Sequence, residues 1–169
     1  MINNFIVTQA LAREYFDYLP ETGQLVWIKS KNSRAPVGKV VGEWKSTNRK
    51  NVQFFKRKFY VYQLIYLWHY GYVPKEMDHK DRDKNNNRIE NLRECNSTQN
   101  AANRKFRNKS GYKGVVHLGT KKYRAAISIN GRTYHLGLFK TIEEAAKAYD
   151  VIAFEWYGEF AHLNLPPSL

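Results

Sequence analysis

Cysteine is all but missing from this chain, with Cys95 the only one. No intramolecular disulfide can form and no zinc site can be built from thiolates, so a reducing compartment fits and no structural zinc is expected. Long apolar runs are missing as well. The most aromatic stretch, Phe59 to Val73, is interrupted by Gln63, His69 and Gly71 and is too short to span a bilayer. The opening MINNFIVTQALAREYF has neither the charged start nor the apolar block of a secretory signal. A soluble, cytoplasmic protein with no membrane partner is expected.

Negative charge is absent over a long interval. From Cys95 to Ile142 there is no Asp or Glu, while Arg104, Lys105, Arg107, Lys109, Lys113, Lys121, Lys122, Arg124, Arg132 and Lys140 are all basic. A second acid-free run holds Lys45, Arg49, Lys50, Lys56, Arg57 and Lys58, and the acids gather in Asp78–Glu94 and Glu143–Glu159. The net charge is +13 and the pI about 9.8. An ordinary solvated surface interleaves the two signs, so these blocks are expected to face a polyanion, double-stranded DNA above all. The bland alternative, charge kept only for solubility, does not explain the segregation.

What is present suffices for a core. The chain has 169 residues, 43% of them hydrophobic and 15% aromatic, enough for one ordinary domain or two small ones. Thr8 is placed to cap a helix through Phe16, and Pro20–Gly23 reads as a turn into a strand at Gln24–Lys29. Residues 30–50 read as loop with a short strand near Val40. A hairpin is expected over Asn51–Phe55 and Lys58–Val61, turning at Lys56-Arg57, then a buried helix carrying Leu64, Ile65, Leu67 and Trp68 and ending near Gly71. Strands around Asp78 and at Leu92–Cys95 enclose a polar loop at Arg82–Arg88, and Asn96 with Gln99 forms a capping-box pattern for the helix that follows. Beyond Gly111 a three-stranded meander is expected, turning at Asn130-Gly131. A helix from Thr141 to about Tyr157 then presents Ala145, Tyr149, Ile152, Ala153 and Trp156 on one stripe. Tyr112, Tyr134, Phe139 and Trp156 are expected in the core rather than stacked on bases.

The densest chemistry lies in DHKDRDKNNNRIENLRECNSTQN, where Asn91 and Asn100 follow His79 by 12 and 21 residues. Cleaving a phosphodiester with one hard cation requires a base for water, oxygen ligands for the metal and a polar group to orient the base. Asp78-His79 and the two asparagines supply those types without other cysteines or histidines to make a zinc site. A calcium loop through Asp83, Asn85, Asn87 and Glu94 is the competing reading, but Arg88 stands where the sharp turn wants glycine. The segment resembles the HNH nuclease family in its His-Asn-Asn version, that of phage and intron homing endonucleases, with "NRIENL" closing the Asn-rich loop. The resemblance implies that Asp78 and Asn100 bind one divalent cation, Mg²⁺ or Mn²⁺, that His79 takes the proton of the attacking water, and that Asn91 holds the imidazole. Many relatives carry a His-Arg pair where this chain has Tyr62-Gln63. "FDYLPETGQLVW" also looks like the front end of phage HNH proteins, so a phage-infected bacterial cell is the setting implied.

A second resemblance covers Gly111–Asn164 on "YKGV", "LGLF", "TIEEAAKAYDVIA" and "YGEFAHLN": the APETALA-two type DNA-binding domain of plant ethylene-response factors. It implies an outward sheet face in a DNA major groove. Strand alternation turns Ala125, Ile127 and Ile129 to the helix and Lys122, Arg124, Ala126 and Ser128 away. Lys113, His117, Lys122, Arg124, Ser128, Thr133 and His135 are therefore the expected contacts, joined by Lys56, Arg57 and Lys58 in the hairpin and Arg104, Lys105 and Arg107 in the linker. Plant members use several arginines and tryptophans on this face where Val116, Leu118, Thr120, Ser128, Thr133 and His135 stand here, so the plant target sequence does not carry over.

The resulting expectation is an α+β chain. A ββα-metal nuclease core (about 75–102) with N-terminal hairpins fills residues 1–102, a basic linker residues 103–110, and a three-stranded antiparallel sheet packed on one helix residues 111–165. It would be a metal-dependent DNA endonuclease of homing type, a monomer that cuts one strand or both, with no small-molecule cofactor. The rivals are a sequence-specific DNA-binding regulator with an inactive nuclease core, and an RNA-binding protein.

Overall fold

The computed structural model of the chain describes residues 6–29, 36–42, 51–106, 108–120 and 122–166. They form an α+β fold of short helices and small antiparallel sheets, in two compact units, Met1–Glu94 and Cys95–Leu169.

In the first unit the Thr8 hydroxyl accepts the Leu11 N–H, and α1 runs Gln9–Tyr15. The chain then becomes extended at Phe16, one residue before the expected helix end. Phe16–Leu19 is β1, a strand the sequence reading did not foresee, paired antiparallel with β2, Gln24–Trp27. The reason lies in burial: Phe16 and Tyr18 both enter the core, a two-residue period that a helix would split between faces. Strands β3 (Asn51–Phe54) and β4 (Arg57–Tyr60) form the next hairpin. Its turn falls on Phe55 and Lys56, at φ 47° and 63°, one residue earlier than expected. Helix α2 (Val61–Tyr70) buries Leu64, Ile65 and Leu67 and stops at Gly71, whose left-handed φ of 85° lets its N–H reach the Leu67 carbonyl. Phe16 is the hub of the core, with ring centroids 4.5 Å from Trp27 and 4.7 Å from Phe54. Leu92, on β6 (Leu92–Glu94), joins the same cluster and so fixes β5 (Met77–His79), its antiparallel partner, to the core.

His69 on α2 has a testable consequence. Its ring lies edge-on to Tyr18 at 4.6 Å, and its Nε2 is buried with no hydrogen-bond partner among the described residues. Burial first, and the charge of Arg13 second, push its pKa down. The unfolded chain therefore binds this proton more readily, and folding stability is lost as pH falls through the ordinary histidine value of about 6.5. The thermal midpoint is expected to be lower at about pH 5 than at about pH 8, and His69→Phe should flatten part of that dependence. An equal pH dependence in the variant would contradict the assignment.

The second unit starts with α3 (Ser97–Asn103), capped reciprocally by Asn96 and Gln99 at 2.8 Å each way. Strands β7 (Val115–His117), β8 (Tyr123–Ile129) and β9 (Arg132–Phe139) pair in that order, and Asn130 and Gly131 turn β8 into β9 with φ 51° and 78°. The Thr141–Glu144 capping box opens α4 (Ile142–Tyr157). Small residues let α4 approach closely: Ala145, Ala146 and Ala153 are buried along with Val115, Ala125, Ile127 and Ile129. Gly114 is required there, because a Cβ would enter the Tyr149 ring and lie 2.6 Å from the Ala126 carbonyl oxygen. Two core expectations fail. Trp156 is 59% and Tyr134 47% exposed; the last turn of α4 presents Tyr157 rather than Trp156 to the sheet, its hydroxyl donating to the Ser128 carbonyl at 2.8 Å.

Among the described residues no helix is long and apolar enough to cross a membrane.

Candidate functional site

Pairing of β5 with β6 sets Asp78 opposite Arg93 and His79 opposite Leu92. The two-residue period then sends Asp78 and His79 to opposite faces of the ribbon. Asp78 meets its cross-strand neighbour directly: Arg93 Nε and Nη2 donate to Asp78 Oδ2 at 3.0 and 2.8 Å, both side chains 9% exposed. Arg93 is thus an unforeseen member of the site. Its signal was available in "NLREC", where an arginine between apolar residues lands opposite Asp78 once the register is known.

Between the strands the Asn-rich loop closes upon itself. Asn91 Nδ2 donates to Asp81 Oδ1 (2.9 Å) and to the Asn86 carbonyl (2.7 Å), while its Oδ1 accepts the Asp81 N–H (3.0 Å). Asp81 also accepts from the Asp83 N–H and from Asn86 Nδ2. Burial raises the Asp81 pKa, but the hydrogen bonds from Asn86, Asp83 and Asn91 and the charge of His79 together outweigh it and hold the carboxyl below its ordinary value. Asp81 is an acceptor that shapes the loop, and Asp83 accepts the Asn85 N–H in the same way.

The imidazole partner corrects the sequence reading. The expected contact was from Asn91, whose side chain is instead committed to the loop. His79 Nε2 lies 2.9 Å from Asn87 Oδ1, and the Tyr62 ring meets the imidazole edge-on at 5.5 Å. Asn87 was missed because three consecutive asparagines, Asn85–Asn87, give no hint which one turns inward; it is 4% exposed. Gln63, beside Tyr62, caps α2 by accepting the Tyr60 N–H at 2.9 Å.

Asn100 lies on α3 of the second unit, half-buried, its N–H on the Asn96 carbonyl at 2.9 Å. Asp78 and His79 thus lie on β5 and Asn91 ends the 3₁₀ turn that leads into β6, whereas Asn100 belongs to the other unit. Among the described residues no group of three or more His, Cys, Asp or Glu gathers to hold a metal ion.

The basic residues divide. Lys56, Arg57 and Lys58 are exposed at the β3–β4 turn, with the Arg57 guanidinium 5.6 Å from the Phe59 ring centre. Arg104, Lys105 and Lys122 are exposed, and Arg107 lies outside the described residues. On the sheet, Arg124 stands between Val116 and Leu138 in the cross-strand row, His135 opposite Ala126, and Ser128 opposite Thr133 with their hydroxyls 3.1 Å apart. Two expected members are elsewhere. His117 pairs with Tyr123, on the face opposite Arg124, and stacks on that ring at 4.8 Å; alternation from the buried Val115 dictates this. The Lys113 ammonium donates to the Ala102 and Arg104 carbonyls, and Asn164 clasps its backbone from both sides. That lysine holds the unit together.

The comparisons with known proteins fit this site. Residues 59–102, which span β5, the loop, β6 and most of α3, match the family described as HNH endonuclease. The chain is 36% identical over 107 residues to an uncharacterized HNH endonuclease of Acanthamoeba polyphaga mimivirus, covering 62% of this chain and 54% of that one. It is 48% identical over 60 residues to Dehydration-responsive element-binding protein 2D of Arabidopsis thaliana, covering 34% of this chain and 29% of that one. The chain therefore spans about half of the first relative's length and less of the second's. No solved structure matches it. Residues 59–102 are therefore similar to the HNH endonuclease family, as is the viral relative.

Proposed function

We propose that the protein is a metal-dependent DNA endonuclease of homing type, which hydrolyses phosphodiesters at sites chosen by its C-terminal region. The observation that carries the reading is His79: an imidazole at the end of β5, held at 2.9 Å by Asn87, within the segment that matches the HNH endonuclease family. In this reading His79 accepts the proton of the attacking water, and Asn91 acts at one remove, by closing the loop between the strands through Asp81 and Asn86. HNH nucleases use a divalent metal ion, and hard cations take oxygen ligands. The carboxylate of Asp78 and the amide oxygen of Asn100 suit such an ion, Mg²⁺ or Mn²⁺, with Arg93 already on Asp78 Oδ2 as the competitor. When bound, the ion would neutralise charge building on the phosphate.

Residues 1–102 would form the catalytic part, residues 103–110 a basic linker and residues 111–165 the part that selects DNA, the protein acting as a cytoplasmic monomer. The outward sheet row Arg124, Ser128, Thr133 and His135 would meet the duplex, with Lys56, Arg57, Lys58, Arg104, Lys105, Arg107 and Lys122 on phosphates. Phosphate contacts position a protein and base contacts specify its site. Each neutralised phosphate contributes about −0.9 to the slope of log affinity against log salt. Arg124→Ala is expected to weaken DNA binding and to make that slope shallower by about 0.9 if its guanidinium meets one phosphate. Unchanged affinity and slope would remove this face from the interface.

One observation favours a second reading, a sequence-specific DNA-binding regulator with an inactive nuclease core: the buried guanidinium of Arg93 on Asp78. Incubating the protein with duplex DNA and Mg²⁺ or Mn²⁺ separates the two. The nuclease reading expects products that a chelator suppresses, the regulator reading retained but uncut DNA.

A further inference from the structure

Helix α3, which carries Asn100, is seven residues long, too short to be stable alone in water. Asn96 and Gln99 close its N-terminal end. Its C-terminal end has no basic residue in the last turn, and the chain leaves it in an extended conformation at Arg104. The last carbonyls of a helix have no partner inside it. Here they find partners at both ends of the sheet-bearing segment. The Lys113 ammonium donates to the Ala102 and Arg104 carbonyls. The His162 N–H donates to the Ala102 carbonyl at 3.3 Å, and its Nδ1 donates to the Arg104 carbonyl at 3.2 Å. A cation at this end also faces the negative pole of the helix dipole.

We infer that Lys113 and His162 are positioning residues of the proposed nuclease, through which the C-terminal region holds the helix on which Asn100 stands. The inference rests on the reading of Asn100 as a metal ligand. Lys113 is itself fixed. Asn164 Oδ1 accepts the Lys113 N–H at 2.5 Å, and Asn164 Nδ2 donates to the Lys113 carbonyl at 3.0 Å. Asn164 is held in turn, because its N–H and that of Leu165 donate to the Asp150 carboxylate at 2.8 Å each. Asp150 stands on α4, the helix that packs on the sheet. An unbroken run of contacts thus leads from α4 through Asp150, Asn164 and Lys113 to the last turn of α3, all within the unit Cys95–Leu169. The match to the HNH endonuclease family ends at residue 102, so these anchors lie beyond the segment that it covers. The part that selects DNA is therefore no detachable reader. It supports one oxygen ligand of the metal, and the catalytic part depends on it.

The test uses the full chain and two readouts. The first is hydrogen exchange of the α3 amides, measured in chelator; the second is the Mg²⁺ concentration that gives half-maximal plasmid cleavage. Lys113→Met keeps the stem and removes the donor. It should speed α3 exchange at least about tenfold and raise the half-maximal Mg²⁺ concentration about 10–100-fold. Lys140→Met removes the same charge from an exposed residue of the same unit and should leave both readouts as in the wild type. A Lys113→Met protein with unaltered exchange or unaltered Mg²⁺ dependence overturns the inference, and so does a Lys140→Met protein that matches it. If Lys113→Met fails to fold, His162→Phe decides by the same two readouts, since it keeps a ring beside Phe106 and loses the Nδ1 donor. A wild type that cuts no plasmid would overturn the nuclease reading and this role with it. A wild type that cuts, beside a Lys113→Met variant indistinguishable from it, would overturn only the role of Lys113 and His162.

Discussion

Replacing His79 with alanine is expected to slow DNA cleavage about 10²–10⁴-fold, the usual cost of losing a general base, while leaving DNA affinity almost unchanged. The structure makes this separation a fair test. The imidazole is half-buried and is not part of the core cluster around Phe16. Truncation removes the contacts with Asn87 and Tyr62 but leaves the loop bonds made by Asn91 and Asp81 in place. The basic residues offered to phosphates lie elsewhere in the sequence. Single-turnover cleavage, paired with a fluorescence binding assay on the same duplex, would read both quantities. Parallel loss of binding and cleavage would instead make His79 a structural residue.

Asp78→Ala is expected to do more damage than the loss of a metal ligand. Asp78 and Arg93 are paired across the ribbon and almost sealed from water. Removing one member of a buried pair leaves the other charge without compensation, which typically costs about 3–5 kcal/mol. Whole domains are stable by only about 5–15 kcal/mol, so the variant should melt far below the wild type, and its lost cleavage would report unfolding. Replacing both partners with apolar residues of similar size often costs little. Asp78→Leu combined with Arg93→Met is accordingly expected to regain most of the lost thermal stability and none of the cleavage. An Asp78→Ala protein that melts with the wild type would show that the pair contributes nothing.

The parts legible in the sequence are those fixed by neighbours along the chain. Thr8, Asn96 and Thr141 cap their helices with their own side chains, Gly71 ends α2 through its left-handed conformation, and Asn130-Gly131 turns its hairpin. Alternation along β8 separated Ala125, Ile127 and Ile129 from Arg124 and Ser128 because one face packs on a helix and the other does not. What escaped depends on partners distant in sequence. Phe16 could end a helix or start a strand, and only pairing with Trp27 decides. The long chain of Lys113 could reach outward or fold back, and the carbonyls of Ala102 and Arg104 decide that. At the candidate site the spacing drew attention to Asp78, His79, Asn91 and Asn100. It could not show that Asn87 rather than Asn91 meets the imidazole, or that Arg93 covers Asp78. Both contacts arise from strand register and loop closure, which leave no periodic mark.

The central claim is that this chain cuts DNA through His79, and one measurement addresses it most directly. Supercoiled plasmid is incubated with purified full-length protein and Mg²⁺ or Mn²⁺, alongside a chelated control and the His79→Ala variant, and the topological forms are separated on a gel. The account predicts nicked or linear plasmid with the wild type, and supercoiled plasmid in the control and with the variant. Plasmid that stays supercoiled with a folded, DNA-binding wild type, or that is cut equally well by His79→Ala, would contradict it.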